Sequence, residues 1–157
     1  MKNKLFYLSE YKETPYLFDF YFKSIYFTLK ELDNEYPFFS DWYFDKVKNG
    51  IYSSNREIIF NIINDQIAGI AILKNDVSEK KLCTLRVHNK FQRLGIGKQL
   101  MAESFELLDT QFPLITVNSR KDHLFKNLFK YYNFKRTNVF DGIYRPYNSE
   151  ITYNGIL

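Results

Sequence analysis

The stretch that decides the predicted fold is Gln92-Arg93-Leu94-Gly95-Ile96-Gly97. It follows an apolar, strand-like run at residues 82–87 and opens an amphipathic, helix-like run at 96–109. Glycine lets backbone N–H groups approach a ligand closely, and the first N–H groups of a helix have no partner inside it. The helix dipole adds favourable charge for an anion at that end. A strand, a glycine loop and a helix in this order therefore predict a site that holds phosphate groups.

The length and composition indicate one globular domain over residues 1–157. The chain is 45% hydrophobic and 25% charged, which is ordinary for a folded domain of this size. The net charge of +4 suits an anionic ligand. The high aromatic content of 19% has two interpretations, namely stacking on bases or filling of the core under a codon bias. Because the basic residues form no clustered stripe, we expect no nucleic-acid partner.

The remaining composition predicts a cytoplasmic protein without a metal. Cys83 is the single cysteine, so a disulfide within the chain is excluded and a reducing compartment is expected. No apolar segment precedes Glu10, so no signal peptide is expected, and no apolar run is long enough to span a membrane. Two histidines and one cysteine without ligand spacing predict no metal site.

The hydrophobic pattern predicts helices and strands in an α+β order. Pro15 suits the start of a first helix to residue 32, and Ser40 suits the N-cap of a second helix at 41–48, which Asn49-Gly50 would end. Ser119 and Asp122 match a capping box before a helix that ends at residue 132. Strands are predicted at 57–63, 67–74, 81–87 and 114–117, followed by a hairpin at 135–145 and 151–153. A helix joins the strands at 82–87 and 114–117, so these two should be parallel with a right-handed crossover.

With this order of elements, the motif resembles the GNAT superfamily of acetyl-CoA-dependent N-acetyltransferases. The family's Q/R-x-x-G-x-G/A loop is matched at Gln92, Gly95 and Gly97, and its L-x-V strand end at Leu85 and Val87. The order agrees along nearly the whole chain and is weakest over residues 1–50. The resemblance implies an α+β fold with a GNAT-like mixed, mostly antiparallel sheet, a central splayed parallel strand pair and flanking helices.

The resemblance also implies acetyl-CoA as co-substrate, without a metal. Backbone N–H groups of the loop would hold its pyrophosphate, and the residues concerned are Arg93, Leu94, Gly95, Ile96, Gly97 and Lys98. The pantetheine arm would pair with Leu85 and Val87, and Asn118 ends the second parallel strand where relatives contact CoA. Arg93 and Lys98 have the alternative of solvated surface charges. Gln92 has the alternative of fixing the loop by hydrogen bonds to the backbone.

The chain departs from the family where a proton donor is expected. Many relatives carry a tyrosine before a Gly-Phe pair, which here reads Asn133-Phe134, and the tyrosine position falls on Phe129. Asn133 still suits a left-handed helix end. Tyr131 and Tyr132 are the remaining candidates for the general acid, with water or a tyrosine of the last hairpin such as Tyr144 as alternatives.

The general base is not identified by the resemblance, because the position of a glutamate in one branch of the family aligns with Lys81. Four acidic residues lie in segments that line the acceptor site of relatives, and each has the alternative of a solvated carboxylate: Asp33, Glu35, Asp41 and Glu150. His88 follows the strand as a proton shuttle or a polar loop residue.

Alternation along the strand at 81–87 assigns its side chains to two faces. Thr84 and Arg86 alternate with Leu85 and should face the acceptor side of the sheet. Cys83 shares the spacing of Leu85 and Val87 and is expected in the core.

The predicted function is acetyl transfer from acetyl-CoA to a primary amine by direct attack on the thioester. The acceptor is a small-molecule amine or an amine of a peptide or protein, and a homodimer is compatible with the sequence. The alternative, motivated by Phe129, is a catalytically silent CoA-binding or regulatory domain.

Overall fold

The computed structural model of the chain describes residues 3–155, apart from the side chains of Glu31 and Asp33. Its centre is a seven-stranded sheet in the order β1-β2-β3-β4-β5-β7-β6. The strands are β1 (Phe6–Tyr7), β2 (Arg56–Ile63), β3 (Gln66–Asn75), β4 (Lys80–Val87), β5 (Leu114–Asn118), β6 (Arg136–Asp141) and β7 (Ser149–Tyr153). Neighbours pair antiparallel except β4 and β5, which are parallel as predicted.

The helices cover both faces of this sheet. They are α1 (Pro15–Leu29), α2 (Phe39–Asp41), α3 (Lys48–Tyr52), α4 (Ile96–Leu108) and α5 (Asp122–Tyr131). Short 3-10 segments lie at Leu8–Tyr11, Lys30–Asn34 and Asn89–Phe91, and a π-helical segment at Trp42–Val47 joins α2 to α3.

Two apolar clusters, one on each face, follow from the alternation of side chains along the strands. On one face, side chains such as Ile59 and Ala71 pack against Leu100 of α4 and Phe129 of α5; we call this the α4/α5 face. On the other, side chains such as Ile58, Phe60 and Ile72 pack against α1, α2 and α3; we call this the α1/α3 face. The expected α+β fold is therefore confirmed, and many of the aromatic residues belong to these clusters.

The second helix differs from its prediction at both ends. Ser40 is not the N-cap, since Phe38 precedes the helix with a left-handed φ of 66°. Asn49-Gly50 does not end the helix, which continues to Tyr52. Gly50 is buried there, and a Cβ atom on it would lie 2.5 Å from the Cδ of Arg56. The glycine therefore makes room for a side chain of β2, a tertiary contact that stop signals in the sequence do not reveal.

The predicted capping box before α5 does not form. Ser119 Oγ instead accepts a hydrogen bond from the N–H of Ser149 at 3.2 Å, so it joins β5 to β7. Asp122 begins α5 and accepts a hydrogen bond from the Tyr153 hydroxyl at 2.5 Å. Strand β1 was not predicted, because two residues that pair with Phe60 and Ile59 are too short to show a period.

A β-bulge in β4 corrects the prediction for Cys83. The register against β3 shifts after Ile72, so that Thr84 pairs with Ile72 and Leu82 with Leu73. The bulge leaves Leu82 and Leu85 on the α4/α5 face, whereas Cys83 packs against the cluster of the α1/α3 face. Cys83 is thus in the core but on the side opposite to Leu85.

The parallel pair separates as the resemblance implies. In the part of the chain that the structure describes, the β4–β5 ladder has two register pairs, Lys81 with Leu114 and Leu82 with Ile115. Beyond Leu82 the edge of β4 leaves β5, and a cleft opens between them.

Candidate active site

The cleft between β4 and β5 is a small cavity of about 30 Å³. Its lining is mostly apolar and consists of Leu82, Cys83, Leu85, Ile115, Thr116, Val117, Phe125 and Phe129. Cys83 packs against the α1/α3 cluster, and Thr116 alternates with Ile115 and Val117, whose side chains belong to the α4/α5 cluster. The cleft therefore passes through the sheet and has a wall on each face.

The glycine loop lies where β4 ends and α4 begins. Gly95 is the N-cap of α4 with a left-handed φ of 81°, a conformation that glycine adopts without the Cβ penalty. A Cβ atom built on Gly95 meets no heavy atom within 4 Å, so open space lies beside the loop. The first N–H groups of α4 have no carbonyl partner within the helix. The loop can therefore receive an anionic group, and the residues present fit a pyrophosphate.

Close packing sets the position of this loop. A Cβ atom on Gly69 of β3 would lie 2.6 Å from Cγ2 of Ile96, so only a glycine lets the first turn of α4 lie directly on the sheet. A Cβ atom on Gly97 would lie 3.8 Å from Cγ2 of Val87, an ordinary contact. The loop is thereby held next to the free edge of β4.

The polar side chains before the glycines hold the loop in place. Gln92 Nε2 donates to the carbonyl of Val87 at 3.3 Å and to Oδ1 of Asn89 at 3.2 Å, contacts of the kind that fix a loop. His88 Nδ1 accepts from the N–H of Lys90 at 3.2 Å and caps a short 3-10 turn. His88 is thus used as a polar loop residue.

The two predicted acids lie beside α4. The Tyr132 hydroxyl donates to the carbonyl of Lys98 at 3.4 Å, and Lys98 Nζ lies 4.3 Å from the centroid of the Tyr131 ring. Burial raises the pKa of Tyr132. Neither tyrosine belongs to the lining of the cleft. Their contacts place both at the first turn of α4, next to the glycine loop.

Phe129, the position of the tyrosine in relatives, does line the cleft. Its ring is buried and lies 4.6 Å from the ring of Tyr153 and 5.4 Å from that of Phe125. Asn133, which follows the helix, has a left-handed φ of 58°, as its place before Phe134 predicted. The departure from the family at this position therefore puts an apolar ring where relatives carry a hydroxyl.

The other residues predicted to hold the co-substrate differ in their exposure to solvent and in their hydrogen bonds. Leu85 and Val87 are half-buried on the α4/α5 face, and their strand edge is the one that leaves β5. Asn118 is buried, and its Oδ1 accepts from the N–H of Arg120 at 2.9 Å. Arg93 and Leu94 are exposed. The amide of Asn118 is thus used in a local turn.

The structure separates the candidate bases. Glu35 forms a 2.7 Å salt bridge with Lys121, and Asp41 is exposed. The side chain of Asp33 lies outside the described residues. Glu150 is only 2% exposed and is therefore not a solvated carboxylate. Glu150 lies in β7, directly after the turn from β6, and the side chains of β7 from 150 to 153 are buried on both faces of the sheet. The sequence did not indicate this burial.

Glu150 has defined polar neighbours. Its Oε1 accepts from the Tyr36 hydroxyl at 2.8 Å. The Thr116 hydroxyl lies near it on the neighbouring strand. Burial raises the pKa of Glu150, while these two hydroxyls and the charge of Lys81 oppose the rise. Sequence reasoning missed Tyr36 and Thr116, since neither lies within a motif.

No metal centre and no membrane helix belong to this site. Within residues 3–155, no group of three or more histidine, cysteine, aspartate or glutamate side chains is placed to hold a metal ion. Among the same residues, every helix is too short or too polar to cross a membrane.

Comparison with known proteins agrees with this geometry. The family model described as an acetyltransferase (GNAT) domain matches residues 30–140. No curated protein matches the chain in sequence. A GNAT-family protein from Desulfovibrio desulfuricans superposes with a TM-score of 0.58 at 19% identity, over 69% of this chain and 73% of that one.

Two further solved structures share the fold. The ribosomal-protein-alanine N-acetyltransferase of Brucella melitensis has a TM-score of 0.58 at 14% identity, over 71% of this chain and 75% of that one. A GNAT family acetyltransferase from Elizabethkingia anophelis, with acetyl-CoA bound, has a TM-score of 0.51 at 20% identity, over 69% of this chain and 82% of that one. The family match covers more than half of the chain and coincides with the glycine loop, the splayed strand pair and the cleft, and the chain therefore belongs to the acetyltransferase (GNAT) family.

Proposed function

We propose that this protein transfers an acetyl group from acetyl-CoA to a primary amine by direct attack of the amine on the thioester. The observation that carries the proposal is the juxtaposition of two features. The glycine loop, with open space beside Gly95, ends the same strand whose free edge forms the cleft. An extended ligand with an anionic end can place its charged group at the glycine loop and its arm along the free edge of β4.

The residues would divide the binding work as follows. Backbone N–H groups between Arg93 and Lys98 would hold the pyrophosphate, and the side chains of Arg93 and Lys98 would add positive charge. The cation–π contact with Tyr131 holds Lys98 near the loop. The free edge of β4 at Leu85 and Val87 would bind the arm as an added strand.

The chemical step needs little beyond placement. When bound, acetyl-CoA supplies the thioester carbonyl that an amine attacks. Holding the amine and the thioester carbonyl in the geometry of attack raises their effective concentration and therefore the rate. An unpaired backbone N–H at the β4 edge can stabilise the charge that develops on the carbonyl oxygen. The cleft also excludes water, because its lining is mostly apolar.

The acceptor amine reaches the cleft from the α1/α3 face. Two of the lining residues, Cys83 and Thr116, face that side, and the segment at 30–36 and the turn between β6 and β7 border it. Relatives named for ribosomal-protein alanine support an amine of a peptide or protein as one acceptor class. A small-molecule amine is the other.

The test is an amine panel with acetyl-CoA. We expect free thiol release that depends on both substrates, with mass spectrometry showing one added acetyl group on the acceptor. The panel should hold polyamines, amino acids, peptides with free N-termini and lysine peptides. Thermal stabilisation by acetyl-CoA without acetylation of any amine would contradict the proposal and favour the silent CoA-binding domain, for which Phe129 is the motivating observation.

A further inference from the structure

Thr116 connects the cleft to a buried carboxylate. Thr116 lines the cavity between β4 and β5, and its hydroxyl lies on the same face of the sheet as Glu150, close enough to lower the pKa of that carboxyl. The two residues lie on neighbouring strands, where Thr116 pairs with Thr152 and Asn118 with Glu150. Glu150 itself is not part of the lining. A group in the cleft therefore reaches Glu150 through the Thr116 hydroxyl.

The surroundings of Glu150 hold it in place and limit its access to solvent. Tyr36 donates to Oε1 at 2.8 Å, and the ring of Tyr144 lies 5.1 Å from that of Tyr36. Lys81 and Glu35 also act on it, with opposite effects on its charge. Glu35 is paired with Lys121 at 2.7 Å. Glu150 is thus a buried carboxylate one residue behind the lining, and its neighbours are mainly hydroxyl groups.

Tyr36 is a donor in this arrangement and not the proton acceptor. Burial and the nearby Glu150 raise the pKa of Tyr36 far above its ordinary value. Its hydroxyl therefore stays protonated and fixes one carboxylate oxygen. Tyr144, whose pKa is raised by burial and by Glu150, also stays protonated.

We propose that Thr116 and Glu150 form a proton relay that takes the proton lost by the acceptor amine, an inference that rests on the proposed function. The amine nitrogen forms a bond to the thioester carbon and gives up one proton to Thr116 Oγ1. Thr116 passes its own hydroxyl proton to Glu150. The carbon–sulfur bond breaks, the thiolate takes a proton from water, and Glu150 returns its proton to solvent. The products are the acetylated amine and free CoA.

The experiment compares four variants with the unsubstituted full-length protein on its best acceptor from the amine panel. Glu150→Gln keeps the shape and an oxygen for Tyr36 but cannot accept a proton. Thr116→Val removes the hydroxyl and keeps the volume, whereas Thr116→Ser keeps the hydroxyl. Glu57→Gln is the matched control, because it neutralises another carboxylate whose pKa is raised by burial, on β2 and outside the lining.

We expect Glu150→Gln and Thr116→Val to lower kcat by roughly 10²- to 10⁴-fold, the usual range for a lost acid–base group. Thr116→Ser and Glu57→Gln should keep most of the activity. The low-pH limb of the kcat/KM profile that belongs to Glu150 should vanish in Glu150→Gln and persist in Glu57→Gln. The dissociation constant for acetyl-CoA, measured by calorimetry, should stay unchanged in all four variants.

Two failures are distinguishable. If the unsubstituted protein acetylates no amine, the proposed function and the relay are both contradicted. If it is active and Glu150→Gln retains its kcat and its low-pH limb, the relay alone is contradicted. Equal losses in Thr116→Val and Thr116→Ser would also overturn it, because a structural role would then explain Thr116.

Discussion

At the scale of single residues, Gly95 meets two demands at once. Its left-handed φ of 81° excludes most side chains on conformational grounds, and the open space beside it is needed for a ligand. A bulky substitution such as Gly95→Val changes both properties together. A left-handed conformation costs a residue other than glycine roughly 1–2 kcal/mol, least for asparagine.

We therefore predict that Gly95→Asn weakens acetyl-CoA binding at least about tenfold while the protein stays folded, since loss of a single interaction worth about 1.4 kcal/mol has that effect. Asparagine tolerates the conformation but fills the space where the anion would lie. Calorimetric titration measures the affinity, and circular dichroism checks the fold.

Gly142→Asn is the matched control for this change. Gly142 also has a left-handed φ, of 67°, and a Cβ atom there would make only ordinary contacts, the nearest at 3.8 Å. It lies in the turn after β6, away from the glycine loop. Equal affinity in the two variants would show that the loop does not hold the phosphates.

Glu150 gives a second prediction at this scale, on stability against pH. Its pKa is raised in the folded protein, so the stability it contributes is present below its unfolded pKa and is lost as the pH rises through the folded value. Glu150→Gln cannot ionise and does not lose this contribution. We expect the difference in Tm, Glu150→Gln minus the unsubstituted protein, to increase as the pH is raised from about 4, near the ordinary pKa of glutamate, to about 8.

Thermal unfolding at a series of pH values measures this difference. Glu57, a half-buried carboxylate whose pKa is also raised, is present in both proteins and cancels in the comparison. A difference in Tm that does not change with pH would mean that Glu150 has the same pKa in the folded and unfolded states.

At the scale of elements, α5 decides what faces the cleft. The helix places Phe129 and Phe125 in the lining and leaves Tyr131 and Tyr132 against α4. The hydroxyl of the usual proton donor is thus missing from the one position of α5 where relatives carry it.

We predict that Phe129→Tyr raises kcat by up to about 10²-fold, because it returns a donor to the cleft. Phe125→Tyr is the control, since it adds the same hydroxyl to another ring of the lining. Steady-state kinetics with the best acceptor gives the answer. An unchanged kcat in Phe129→Tyr would show that proton donation to the thiolate does not limit turnover.

The prediction that Tyr131 or Tyr132 is the acid has its own test. Loss of an acid in Tyr131→Phe or Tyr132→Phe would lower kcat and leave acetyl-CoA affinity unchanged. Loss of the hydrogen bond from Tyr132 to the Lys98 carbonyl would instead weaken acetyl-CoA binding at unchanged kcat, and the place of Tyr132 beside the first turn of α4 favours this result. Tyr131→Phe keeps the ring that Lys98 contacts, so we expect it to leave acetyl-CoA binding unchanged.

At the scale of the whole molecule, the proposed ligand would join elements that are distant in sequence. The free edge of β4 and α5 border one cleft through the sheet, and the glycine loop follows the end of β4. A ligand bound to the folded state alone must stabilise it. At a concentration 100 times its Kd, we expect acetyl-CoA to add about 2.7 kcal/mol to the free energy of unfolding. A thermal-shift titration measures this, and no shift at millimolar acetyl-CoA would contradict binding.

The sequence by itself determined the order of elements, the parallel pair and the place of the glycine loop. Those features are local, because hydrophobic periods and the conformational needs of Gly95 act over neighbouring residues. The position of Phe129 came instead from the resemblance to the family, which aligned it with a tyrosine, and the structure places it in the lining of the cleft.

Only the tertiary structure decided how distant segments meet. Gly50 was predicted to end a helix, whereas in the structure it makes room for the side chain of Arg56. The bulge that places Cys83 on the other face depends on the register of β4 with β3. Glu150 was one of four acidic candidates, and only its burial beside Tyr36, 114 positions away, distinguishes it from the others. Contacts between residues so far apart arise when the whole chain packs, so neither periodicity nor spacing records them.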